Sequence, residues 1–150
     1  MRTARAEAEV PLAPEAALRL WMDVSRWSSF VEGFARVVEL DSQWPAAGSR
    51  AIWESVPAGR GRVTEKVAEG APGRFATLVF EDRMAGRQTF RAIESEGGAR
   101  VELSLEYTLT KYGPLGPVAD VIFIRRALRD SLRRTLTRFG VEAQDEAGLR

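Results

Sequence analysis

At 150 residues the chain has the length of one domain, with material for a core and for an internal cavity. Hydrophobic residues make up 45% and charged residues 29%, as in ordinary globular proteins, and a net charge of +1 gives no overall attraction to nucleic acid. Cysteine and histidine are both absent, which excludes disulfides, thiolate nucleophiles, Cys or His metal sites and any Ser-His-Asp or Cys-His arrangement, so that catalysis would have to rest on carboxylates, Tyr, Lys, Arg or backbone groups.

In chain order, residues 3–10 set Ala4, Ala6, Ala8 and Val10 against Arg5, Glu7 and Glu9. Period two predicts a strand, and its small inward side chains predict close packing on that face. Met1 to Arg5 is basic, but Glu7 and Glu9 interrupt the apolar region a signal peptide needs, so a cytoplasmic protein is expected. Pro14 and Glu15 suit the first turn of a short helix, whose apolar side is Ala17, Leu20, Trp21 and Val24. Asp23 or Ser25 then caps a second short helix through Trp27 and Phe30, and Gly33 ends it.

After Gly33 the pattern turns to strands, expected at 34–40, 49–56, 61–68, 74–81, 87–94 and 101–110. Turn residues separate them at 44–48, 57–59, 70–73, 85–86 and 97–98. The last strand alternates Val101, Leu103, Leu105, Tyr107 and Leu109 with Glu102, Ser104, Glu106, Thr108 and Thr110. Such punctuation predicts an antiparallel meander with one wet face. Residues 114–143 read as one long helix entered through Pro114 and Pro117, roughly 40 Å long at ~1.5 Å per residue. Its apolar stripe is Val118, Val121, Ile122, Leu128, Leu132, Leu136 and Phe139, with Arg126, Asp130, Arg133, Arg134 and Arg138 opposite. Arg125 interrupts the stripe. No run approaches the ~20 apolar residues needed to span a bilayer.

The order is strand, two short helices, six strands, one long helix, with no linker, repeat or domain boundary within residues 1–150. The expected fold class is α+β: a curved antiparallel sheet of about seven strands wrapped around the C-terminal helix, which alone is long enough to cover the concave face. A curved sheet on a straight helix tends to leave space between them, and that space is the candidate site.

Three stretches carry a family likeness: Pro14-Glu15 through Asp23-Val24-Ser25-Arg26-Trp27, Gly98 through Leu109, and Tyr112-Gly113-Pro114-Leu115-Gly116 leading into the helix. With them the chain resembles the START-like (SRPBCC) superfamily over about residues 3 to 143, and within it the bacterial polyketide cyclase/dehydrase and lipid-transport branch. The resemblance implies the helix-grip fold and a hydrophobic cavity between sheet and long helix, entered near the short helices and the helix start. Members bind lipids, hormones, quinones or polyketides and only some are enzymes, so no catalytic motif carries over.

Candidate ligand-binding residues are Trp53, Val79, Phe90, Leu103, Leu105, Tyr107, Val121, Arg125 and Leu128. Strict alternation sets the phase of Leu103, Leu105 and Tyr107, whereas residues 75–80 are apolar in both phases. Trp21, Trp27 and Trp44 are first of all packing residues, and Trp53, mid-strand, is the tryptophan best placed for a ligand. Tyr107 is either a core residue with its hydroxyl on backbone or a polar tip in the cavity. Arg125 is either the pocket's polar anchor, paired with Tyr107, Glu81 or Glu54 until a ligand carboxylate or carbonyl replaces them, or an arginine snorkelling to the mouth. Phe123, off the stripe, and the neighbouring Ile124 are either ordinary scattered exposed apolar residues or the mark of a dimer contact or a lid.

The leading functional reading is a binding protein for a small hydrophobic molecule carrying an acidic or oxygen-rich group. The alternatives are a polyketide cyclase, aromatase or dehydratase using Tyr107, Arg125 and an inward carboxylate, and a protein-interaction module using residues 115–124. No cofactor, metal, nucleic acid or membrane span is expected, and a homodimer is an open alternative.

Overall fold

The computed structural model describes residues 2–111 and 117–148. Strand β1 (Arg2–Val10) leads into α1 (Pro14–Met22), a single 3-10 turn (Val24–Arg26) and α2 (Trp27–Phe30). Six strands follow, β2 (Phe34–Leu40), β3 (Arg50–Ser55), β4 (Arg62–Ala71), β5 (Arg74–Phe80), β6 (Met84–Ser95) and β7 (Gly98–Leu109), and then α3 (Pro117–Glu146). The expected helix entry at Pro114 lies outside the described residues.

Every neighbouring pair is antiparallel, in the order β1-β7-β6-β5-β4-β3-β2. The alternation of β1 shows in its register: Ala4, Ala6 and Ala8 lie opposite Leu105, Leu103 and Val101, small side chains beside large ones. Two strands run past their expected ends. Gly70 and Ala71 still pair with Phe75 and Arg74, so β4 takes up half of the expected turn. The expected turn at 85–86 is strand instead: Ala85 and Gly86 pair with both neighbours, β6 starts at Met84 opposite Leu109, and the turn falls at 81–83, where the Glu81 amide donates to the Met84 carbonyl. Asp23 caps the 3-10 turn by accepting from the Ser25 amide (3.1 Å) and hydroxyl (2.6 Å). Gly33, at φ 76, makes the left-handed turn into β2 that a side chain would strain.

The face of β7 bearing Val101, Leu103, Leu105 and Tyr107 is buried, and α3 contributes Leu132, Leu136, Phe139 and Ala143 to the same core. Trp21 of α1 fills the middle. Its ring stacks on Phe90 at 4.5 Å and 7°, while Phe139 meets Trp21, Phe90 and Phe30 edge-on at 5.7, 5.3 and 5.0 Å. Farther toward β2, Trp27 packs edge-on against Trp44 and Phe34. The indole N–H groups of Trp27 and Trp44 donate to the carbonyls of Trp21 and Met22, both at 2.8 Å.

α3 docks by its second half. From Leu132 onward its inward residues are buried, whereas Val121, Ile124 and Leu128 are only half-buried and Ile122 and Phe123 are exposed. Polar clamps hold the docked half: Arg26 of the 3-10 turn bonds Glu142 (2.6 Å) and Glu146 (3.0 Å), and Glu32 accepts from Ser131 (2.6 Å) and Arg134 (2.8 Å).

Candidate functional site

β4 alternates Val63, Glu65, Val67 on its buried phase, so period two carries one carboxylate into the core. Glu65 is only 6% exposed. Trp53 Nε1 donates to its Oε2 at 2.9 Å and Thr77 Oγ1 donates to its Oε1 at 3.0 Å. Burial pushes the Glu65 carboxyl well up from the ordinary carboxylate value, against the opposing pull of the Trp53 bond, the Arg60 charge and the Thr77 bond. Arg60, on the β3–β4 loop, holds its guanidinium 5.3 Å above the Trp53 ring and bonds Glu81 through Nε at 2.5 Å.

Two spaces meet at Arg60. The inner one is a small, partly open cavity of about 30 Å³ between sheet and α3, with Trp21, Trp27, Trp53, Leu103 and Leu132 as apolar walls. Its polar lining is Glu32, Arg60, Glu65, Gln88, Ser131 and Thr135. The outer one is a groove of about 420 Å³ beside the less buried first half of α3. Phe123, Ile124, Ala127 and Leu128 form its helix side, Met84 and Leu109 its floor, and loop residues 58–61 and 81–83 its rim.

The candidate residues divide between core, cavity and groove. Trp53 and Leu103 line the inner cavity and Leu128 lines the groove. Val79, Phe90, Leu105 and Tyr107 are buried on the same face, where Val79 lies opposite Gly86 and Gly86 opposite Tyr107. Phe90 packs solidly between Trp21 and Phe139, so the centre of the expected pocket is filled, because α1 delivers a tryptophan into it. A side chain at Gly86 would collide with β7, its Cβ falling 2.4 Å from the Glu106 carbonyl oxygen. Val121 is half-buried.

Arg125 corrects the expectation made for it. It is exposed, not the buried anchor: in this part of α3 Val121, Ile124 and Leu128 pack against the core only partly buried, and no residue of 121–130 is buried. Two of the partners proposed for it are engaged elsewhere, Glu81 by Arg60 and Glu54 by Arg36 at 2.5 Å. The third, the Tyr107 hydroxyl, is buried with no hydrogen-bond partner among the described residues. Burial raises the Tyr107 pKa, and the positive charges of Arg2 and Arg125 offset part of that rise. The inner arginine is Arg60 and the inward carboxylate is Glu65, neither of them among the residues picked from sequence. The alternation of Val63, Glu65 and Val67 was a legible signal for Glu65; no periodicity marks a loop residue such as Arg60. Among the described residues no cluster of Asp and Glu is arranged to hold a metal ion, and no helix is long and apolar enough to cross a membrane.

The family described as polyketide cyclase/dehydrase and lipid transport matches residues 1–144 of the sequence. No curated protein matches it. Among solved structures, TTHA0849 from Thermus thermophilus superposes with a TM-score of 0.77 at 20% identity, covering 97% of this chain and 99% of that one. The di-domain ARO/CYC StfQ of the steffimycin biosynthetic pathway gives 0.78 at 14% identity, over 97% of this chain and 51% of that one. The Zhui aromatase/cyclase from Streptomyces sp. R1128 gives 0.76 at 12% identity, over 97% of this chain and 95% of that one. At such identities the likeness is one of fold.

Proposed function

This chain belongs to the polyketide cyclase/dehydrase and lipid-transport family, and from that premise we propose that it binds one small, largely apolar molecule in the groove beside the first half of α3. The observation that carries this reading is the groove itself. Its volume of about 420 Å³ is within the range of small-molecule sites, its helix side and floor are apolar, and Arg60 on its rim also lines the smaller, polar inner cavity. A chain lying along Met84, Leu109, Ile124 and Leu128 would direct its polar end toward Trp53 and Glu65.

Thermal unfolding with a panel of lipids, quinones and aromatic polyketides tests the reading, since a ligand that binds only the folded chain raises Tm. Leu128→Trp, which fills the groove from a half-buried position, should leave the unliganded Tm nearly unchanged and abolish the ligand-induced rise. A panel with no stabilising member, or an unaltered rise in Leu128→Trp, would overturn it.

A second reading, cyclisation or dehydration of a polyketide-like chain, is favoured by one observation: a buried carboxyl with a raised pKa stands next to an arginine in the inner cavity. Two of the similar structures carry aromatase/cyclase names, which agrees with this reading. A changed product on incubation with a poly-β-keto thioester, lost in Glu65→Gln, would support it over binding alone.

A further inference from the structure

We propose that Glu65 selects the class of ligand, hydrogen-bonding an uncharged oxygen group at the leading end of the molecule and turning carboxylates away. The proposal rests on the groove being the ligand site and deepens that reading.

Glu65 faces the inner cavity with each carboxyl oxygen taking one bond from the wall, Oε2 from Trp53 and Oε1 from Thr77. A carboxyl has capacity beyond two such bonds, and what remains faces the cavity. Among the described residues no cation bonds it: the Arg60 guanidinium lies over Trp53 and is bonded to Glu81. Burial favours the protonated form, which adds an O–H donor. A cavity of about 30 Å³ has room for a group the size of a carbonyl or a water, not for a chain.

A carboxylate arriving there meets a different field. Glu32 lines the cavity and Glu81 and Asp82 line the groove, while the arginines there, Arg60 and Arg83, both already have partners. To gain Arg60 the ligand would have to strip it from Glu81, whose side chain is only 10% exposed, and leave that charge buried without its partner. A ketone or hydroxyl needs no countercharge and loses little hydration on entry. The acidic ligand that an anchoring Arg125 would have suited is therefore disfavoured here.

The test uses the full chain at about pH 7.5, with N-phenylnaphthylamine as a neutral fluorescent probe of the groove, displaced by methyl nonyl ketone or by undecanoic acid. The ketone should displace the probe at least about tenfold more effectively than the acid, the scale of one good hydrogen bond. Glu65→Leu should weaken the ketone about tenfold with probe affinity kept, and Glu65→Gln, which retains an N–H donor, should stay within about threefold of the parent. On the parent protein the infrared band of an isotope-labelled ketone carbonyl should fall below its position in hexane, a reading that depends on no variant folding. Equal displacement by acid and ketone, a hexane-like carbonyl band, or unchanged ketone affinity in Glu65→Leu would each overturn the proposal while the groove reading stands. Failure of the probe to bind at all would remove both.

Discussion

Glu65 is held in the core against the preference of its own charge. Its folded-state pKa is raised by burial, so the folded chain binds this proton more tightly than the unfolded chain does. The stability this group allows is therefore fully present below the ordinary Glu value and is lost as pH rises toward the raised one. Glu65→Gln keeps the shape, with the amide oxygen accepting from Trp53 and the amide N–H donating to Thr77, and has no charge to bury. We expect its Tm to match the parent's in acid and to exceed it increasingly as pH rises, by up to about 2 kcal/mol in stability. Melting curves from acid to mildly alkaline pH check this. A variant less stable than the parent throughout would mean that the carboxylate is stabilised in place. Glu32 is the opposite case. Burial alone would raise its pKa, but hydrogen bonds from Ser131 and Arg134 outweigh that and hold it below the ordinary value. Its contribution is present above the ordinary Glu value and is lost as pH falls through the lower one. Glu32→Gln should cost about 1 kcal/mol at neutral pH and progressively less in acid, measured by the same melting series.

At the scale of elements, α3 behaves as two helices in one. From Leu132 to Ala143 its inward face is buried against α1, α2 and the sheet, and the Arg26 and Glu32 clamps both grip that half. Residues 121–130 include none that is buried, and the groove lies beside them. Few buried contacts mean a low free energy of local opening. Hydrogen exchange should be faster at the amides of 121–129 than at those of 132–143, and a bound ligand should slow the first set selectively. Equal protection in both halves without ligand would contradict the two-part reading of the helix. The same asymmetry goes with Arg125 staying in water although it interrupts an apolar stripe: the stripe is continuous in sequence, but it is fully buried only from Leu132 onward.

For the whole molecule, the aromatic cluster of Trp21, Phe30, Phe90 and Phe139 joins four elements, α1, α2, β6 and α3. Phe139 is fully buried and touches each of the other three rings. Phe139→Ala should cost about 3–5 kcal/mol in denaturant unfolding, the sum of lost burial and the cavity left behind. A cost under about 1 kcal/mol would show that α3 is not needed to close the core.

The sequence by itself determined the order and type of the elements and the antiparallel run of β2 to β7, though not that β1 pairs with β7. Alternation in β1 and β7 and the 3.6-residue stripe in α3 are local signals, fixed by backbone geometry before any packing occurs, and glycine and proline punctuation leaves little choice of connection. Which charged residue faces the interior was decided only in three dimensions. Glu65 was legible as an acid in the phase of Val63 and Val67, yet Thr64 and Lys66 between them look much the same in a strand with charge in both phases. Arg60 reaches the interior from a loop, where no period assigns a direction, and Arg125 misses it because a helix can dock along half its length. The position of Trp21 against Phe90 joins residues far apart in sequence, so where the core is solid and where it is hollow followed from the meeting of α1 with the sheet, not from any pattern along the chain.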